Sequence, residues 1–257
     1  MKICVLVKQV PDKDSDINLI DDEFKIDQTN LNFLTNESDN YAVEEALLLK
    51  ENHEAEVVIC SLGSESSMQI VKDALSKGAD RGIFIENDLD KELDILTISK
   101  IISEILKSEN FDLILSGLQS DDIGNGQLGV LMAEHLNMSH ASLAMETKFE
   151  NSDKITVKRE LENGWFQWTE LKLPASITIQ SGINKPRYAS LRGIMMMKKK
   201  TIEIKKVSEL DISSDQKISL KSLYVPQKSK EIEKIEGTTE EMVDRIYEIL
   251  KEDLRIV

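Results

Sequence analysis

The chain has 257 residues, 40% hydrophobic and 31% charged, and a formal net charge of −15, which suits one large α/β domain or a domain with an appendage. So acidic a protein lacks the basic face that general nucleic-acid binding needs, and its one dense basic run, 198–206, is too local to change that. Two cysteines, Cys4 and Cys60, and three histidines, His53, His135 and His140, are spaced unlike a disulfide framework or a metal-ligand set.

Met1 leads directly into an apolar, β-branched run at 2–7 with no signal-peptide pattern. No stretch reaches the roughly 18 consecutive apolar residues of a membrane span, so a cytoplasmic protein without membrane insertion is expected. Residues 41–53 carry Ala42, Ala46 and Leu49 at helical spacing. The run 56–61 reads as a second strand, with Cys60 and Cys4 as buried thiols in neighbouring strands. Residues 64–77 predict a helix with Met68, Val71 and Leu75 on one face and Gly78 at its end.

A third strand is expected at 82–85, an amphipathic helix at 93–107 with Leu96, Ile101 and Ile105 inward, and a fourth strand at 111–116. Short apolar runs without alternation suit parallel strands covered on both faces. The order βαβαβαβ predicts a right-handed, doubly wound, mostly parallel α/β sheet.

The fourth strand runs into a glycine-rich turn and a helix at 130–136. Ligands of open α/β sheets bind at the carboxyl ends of strands, and a glycine turn opening a helix offers free N–H groups to a phosphate. The turn reads equally as a tight connection. It has no Gly-Lys-Ser/Thr, so it is not a P-loop. The ends of the first two strands, at Lys8 and Leu62, line the same crevice, and Asn36 and Asp39 stand ready to hydrogen-bond an adenosine. Asp121 and Asp122, adjacent in a turn, are expected to diverge and act as caps. No nucleophile elbow, histidine-centred triad or paired active-site carboxylates occur, so no catalytic residue and no metal ligand is expected. A carrier or binding protein is favoured over a hydrolase or transferase.

Beyond residue 140 the pattern changes. Segments 154–160 and 166–173 alternate around Glu162-Asn163-Gly164, a hairpin signal, and Trp165 and Trp168 are expected to pack over the sheet edge. Residues 176–180 read as a further buried strand, and 198–226 as a polar stretch without a core pattern. A helix at 239–251 follows, capped by Thr238 or Thr239 with Glu241 near its third position. Its stripe of Met242, Ile246, Ile249 and Leu250 has to be buried, with another chain as one candidate. The run from Ile183 to Lys200 carries too short an apolar part, 194–197, for a membrane anchor, and a purely buried strand would not end in three lysines; a docking surface for another protein stays open.

Five segments occur in order: Lys8-Gln9-Val10-Pro11-Asp12, Ala42-Val43-Glu44-Glu45-Ala46, Gly78-Ala79-Asp80-Arg81-Gly82, Gly117-x-Gln119, and Asn184-x-Pro186-Arg187-Tyr188-Ala189-Ser190-Leu191. Together they resemble the β subunit of electron transfer flavoproteins over nearly the whole chain. From Gln180 onward, including Ile235-Glu236-Gly237-Thr238-Thr239, the chain looks most like the subgroup from methylotrophic bacteria.

The resemblance implies a Rossmann-like, adenine-nucleotide-binding domain over 1–190. Residues 191–257 then form a partner-recognition loop and a C-terminal arm that packs on the α subunit. It also implies a heterodimer with an electron transfer flavoprotein α subunit, structural AMP on the β subunit, and one FAD at the interface held mainly by the α subunit. Such a protein carries electrons, without catalysis of its own. The donor is a flavin- or iron–sulfur-containing dehydrogenase, and the acceptor is a downstream protein such as a quinone oxidoreductase.

Positions matching the family's AMP contacts are Leu6, Asn36, Glu37, Ser38, Asp39 and Leu62. In the glycine-rich turn they are Gly117, Gln119, Ser120, Asp121, Asp122, Gly124, Asn125, Gly126, Gln127 and Leu128. Tyr188, Leu191, Arg192, Ile194 and Met195 match the partner-binding loop, where Leu191 takes the place of an apolar anchor that enters a pocket on partner dehydrogenases. Lys8 to Asp12 and Leu191-Arg192-Gly193 also match electron-bifurcating relatives, which bind a second FAD in the β subunit and use NADH. That is the alternative reading.

Overall fold

The computed structural model describes residues 1–20, 25–89, 92–151, 153–211, 216–225, 234–253 and 256. The first apolar run forms β1 (Lys2–Leu6), followed by four short strands, β2 (Gln9–Pro11), β3 (Leu19–Ile20), β4 (Lys25–Ile26) and β5 (Phe33–Thr35). These pair as two small antiparallel ribbons, β2 with β5 and β3 with β4. Helix α1 (Glu37–Asn52) starts four residues before the expected 41. Glu37 and Asp39 in its first turn favour that start, because carboxylates there meet the positive end of the helix dipole.

There follow β6 (Glu56–Gly63), α2 (Met68–Lys77), β7 (Arg81–Glu86), α3 (Ile95–Leu106), β8 (Leu113–Gly117) and α4 (Leu128–Leu136). The second half holds β9 (Ser139–Asn151), the hairpin β10 (Lys154–Glu160) and β11 (Phe166–Lys172), and β12 (Ala175–Ile179). The chain continues through α5 (Leu191–Met197) and β13 (Ile202–Lys206) to α6 (Thr239–Glu248), after which Ile249–Asp253 winds on as a π-helical turn.

The main sheet has nine strands among the described residues, in the order β11-β10-β9-β12-β8-β1-β6-β7-β13. Only β10 runs antiparallel to its neighbours; the other ladders are parallel. The fold is therefore the doubly wound, mostly parallel α/β type. Alternation along β1 divides the core: Ile3, Val5 and Val7 face the cluster under α1 and α2, and Cys4 and Leu6 the cluster under α3 and α4. Both cysteines are free and buried in adjacent strands. The chain builds β6 and β7 on one side of β1, then crosses to place β8 on the other. The strand order reverses between β1 and β8, where such a sheet opens a crevice.

Several parts differ from expectation, and strands β2 to β5 and β9 lie where none was expected. β13 lies within the stretch read as lacking a pattern; its sequence IEIKK is polar because it forms an edge of the sheet, with Glu203 exposed and Ile204 52% exposed. The remainder of that stretch includes 212–215 and 226, outside the described residues. The segment matched to the partner-binding loop contains α5, capped by Ser190, whose hydroxyl accepts from the Gly193 amide at 3.0 Å. Trp165 and Trp168, on and beside the edge strand β11, are less covered than expected, at 70% and 46% exposed. On the open hairpin face the Lys148 ammonium lies 4.1 Å from the Trp168 ring centre, and that of Lys158 lies 4.4 Å from the Phe166 ring centre.

The chain divides into two compact units, Met1–Lys221 and Ser222–Val257. The first holds the sheet. In the second, Thr238 caps α6 and Glu241 reaches back to it, completing a capping box. Among the described residues no helix is long and apolar enough to cross a membrane.

Candidate functional site

The reversal between β1 and β8 brings together three segments far apart in sequence: Lys8 after β1, residues 36–39 at the start of α1, and 117–128 between β8 and α4. Asp39 is the hub. One carboxylate oxygen accepts from the Lys8 amide at 2.8 Å, and the other from the Gly117 amide at 2.9 Å. The two central strand ends are thereby tied to one helix. Gly117 is required there, since a Cβ would stand 2.1 Å from the Ser38 hydroxyl and 2.8 Å from the Asp39 backbone nitrogen. Burial pushes the Asp39 carboxyl up to about 7, against the bonds from Lys8, Asn36 and Gly117 that favour its charged form.

Asn36 and Ser38 hold the loop next to Asp39. The Asn36 amide donates to the Gln119 carbonyl at 2.9 Å and accepts from the Asp121 amide at 2.9 Å. The Ser38 hydroxyl donates to the same carbonyl at 2.8 Å. These polar groups, expected to face a nucleotide, are turned into the protein and shape the loop. Glu37, exposed, offers only its backbone N–H to Asp121, at 3.4 Å, while its carboxylate pairs with Lys13.

Asp121 and Asp122 diverge, as expected. Asp122 takes the Lys8 ammonium at 2.7 Å through both oxygens and also accepts the Ile123 amide. Partial burial raises its pKa, but the bonds from Lys8 and Ser120 outweigh this and hold it below the usual carboxylate range.

The rest of the loop turns its backbone outward. Gly124 and Gly126 lie in the left-handed region, with φ of 68° and 61°, a conformation that costs glycine little. Residues 121–127 are exposed, and α4 opens at Gln127 without a side-chain cap. A helix start leaves backbone N–H groups unpaired and carries partial positive charge, so it suits a phosphate or carboxylate. Beside it, Gly129 packs so closely on the sheet that a Cβ would lie 2.3 Å from a Thr178 methyl and 3.1 Å from the Ser116 hydroxyl. The Ser116 hydroxyl is buried without a hydrogen-bond partner among the described residues, unusual for a polar atom. Leu6, with Leu62 and Leu128 packed against the same cluster, supplies apolar wall on this face.

The structure thus brings together Leu6, Asn36 to Asp39, Leu62 and the loop from Gly117 to Leu128. Sequence reasoning missed Lys8 as the cation pinning Asp122, Ser116, and Gly129 as the close-packing residue under α4. Tyr188, Leu191, Arg192, Ile194 and Met195 lie elsewhere, on and before α5. Tyr188 is 94% exposed and Leu191 84%, unusual for large apolar side chains.

Residues 24–210 match the family model described as the electron transfer flavoprotein domain, a span that includes α5 and, apart from Leu6 and Lys8, the residues of the crevice. Among curated proteins the chain is 34% identical to the electron transfer flavoprotein subunit beta of Methylophilus methylotrophus, covering 98% of each chain. It is 32% identical to the same subunit of Bacillus subtilis over the whole of both chains, and 33% identical to that of Bos taurus over 97% of this chain and 98% of the relative. With a doubly wound sheet whose strand order reverses at β1 and β8, and a match running the length of the chain, this protein belongs to the electron transfer flavoprotein family of electron carriers, as a β subunit.

Proposed function

We propose that the chain works as one half of a heterodimer with an electron transfer flavoprotein α subunit, binds AMP as a structural ligand, and helps hold an FAD that the α subunit mainly carries. The observation that carries the AMP assignment is the loop from Gly117 to Leu128 at the strand-order reversal. It combines two left-handed glycines and the uncapped start of α4 with the unpartnered Ser116 hydroxyl. Those groups fit a phosphate and sugar, and Leu6 and Leu62 fit the flat face of a base. Asn36, Ser38 and Asp39 contribute by fixing the loop, and contacts to the nucleotide run mainly through backbone. FAD supplies the one- and two-electron chemistry when bound; this chain supplies the fold that seats it and the surface that meets its donors. Electrons pass from a flavin- or iron–sulfur-containing dehydrogenase to a downstream acceptor such as a quinone oxidoreductase, in the cytoplasm.

Co-expression with the α subunit, followed by extraction of bound ligands, tests this. One FAD and one AMP in a yellow heterodimer is the expected result. Two FAD and no AMP would replace it with the electron-bifurcating reading, and a colourless, normally folded pair would sink both.

A further inference from the structure

The segment leading into α5 is bound to α1 by an ion pair between the buried Glu44 and Arg187, whose side chain is 31% exposed. Arg187 grips Glu44 with Nε and Nη2 on separate carboxylate oxygens, at 2.8 and 2.9 Å, and its own amide adds a third bond at 3.0 Å. A further nitrogen reaches Glu51 at 2.5 Å. The Glu44 side chain is only 7% exposed. One turn of chain earlier, the Asn184 amide donates to Glu45 at 3.0 Å and to the Tyr41 carbonyl at 3.1 Å.

Downstream, α5 rests on the end of α2. A Cβ on Gly193 would stand 2.1 Å from the Ser76 carbonyl oxygen. The Lys200 ammonium donates to the Leu75 carbonyl at 2.9 Å and the Ala79 carbonyl at 2.5 Å, closing that helix end. Between these two fixed points Tyr188, Leu191 and Met195 stand 94%, 84% and 71% exposed.

A half-buried ion pair adds little net stability, because desolvation of the carboxylate and solvent screening of the guanidinium offset the attraction. What a planar guanidinium fork on both oxygens of a carboxylate does fix is orientation. The fork sits where the chain turns from the sheet into the exposed apolar residues.

We propose that Glu44 and Arg187 are positioning residues for docking: the fork sets the height and direction of α5, so that Tyr188, Leu191 and Met195 meet a donor already ordered. Rigid presentation lowers the entropy lost on association. This rests on the electron-carrier reading above.

The test uses the FAD-loaded heterodimer and the purified dehydrogenase that reduces it. Arg187→Lys, which keeps the charge but not the fork, and Glu44→Gln are compared with Leu191→Ala and with the exchanged pair Glu44→Arg/Arg187→Glu. Both fork variants should raise the KM for the flavoprotein about tenfold at unchanged kcat. They should also speed hydrogen exchange of the amides in 191–197, while flavin content and exchange in the sheet stay at wild-type values. The exchanged pair should recover part of the loss. If Leu191→Ala raises KM and the fork variants do not, or if exchange quickens at constant KM, the positioning role is overturned and the carrier reading stands. If Leu191→Ala also has no effect, docking at this face fails and the positioning role fails with it.

Discussion

At the scale of single residues the crevice shows polar side chains spent on shaping a loop. Asn36 and Asp39 were legible as important from their place just before the first helix, Ser38 only from the family resemblance. Their direction was not, because it depends on how near β8 comes to α1, and the missing Cβ of Gly117 decides that approach. Asp39 offers a pH test. Its folded carboxyl sits at about 7, above the ordinary 3.8, so the folded state holds the proton more tightly than the unfolded one. The resulting stabilisation is complete below about pH 4 and is lost as pH rises through about 7. The melting temperature of the wild type minus that of Asp39→Asn should therefore fall across that interval; a flat difference would show that the carboxyl titrates normally.

Among the elements, the central strands and the helices between them were readable because burial on both faces writes itself as unbroken apolar runs. The parts that were missed lie where that pressure is absent. β13 is an edge and mixes Glu and Lys with Ile; β9 has few fully buried positions and kinks at Leu143, whose φ is +60°. α5 has seven residues and no fully buried side chain, so its helical form comes from the Ser190 cap and its seat on α2.

Caps also join distant segments. Asp94 caps α3 by accepting the Thr97 amide at 2.8 Å, and it accepts the Lys217 amide at 2.8 Å. The bonds from Thr97, Lys217 and Ile218 hold its carboxyl down at about 2. Its contribution is present above about pH 4 and lost as pH falls toward about 2. Asp94→Ala should cost about 1 kcal/mol in chemical denaturation at neutral pH, and hydrogen exchange at 217–218 should rise with it.

For the whole molecule, the division at 221/222 separates the unit that holds the sheet from 36 residues, Ser222–Val257, a length too short for most chains to fold alone. Val243, Ile246 and Tyr247 of α6 are 58%, 47% and 55% exposed, a stripe suited to a second chain. A chain ending at Lys221 should keep its melting transition while losing the α subunit on size-exclusion chromatography. Co-elution of the shortened chain with the α subunit would assign the arm another purpose.

One helix connects the two regions of interest. The start of α1 fixes the loop at the crevice, and its middle grips the residues before α5. At 16 residues it is about 24 Å long and is clamped against the sheet by Ala42, Val43, Ala46 and Leu47, all nearly inaccessible. It therefore acts as a ruler. On the function proposed above, the spacing between the AMP loop and the docking face is a property of this rod, and a donor meets a distance that this chain, not the visitor, has set.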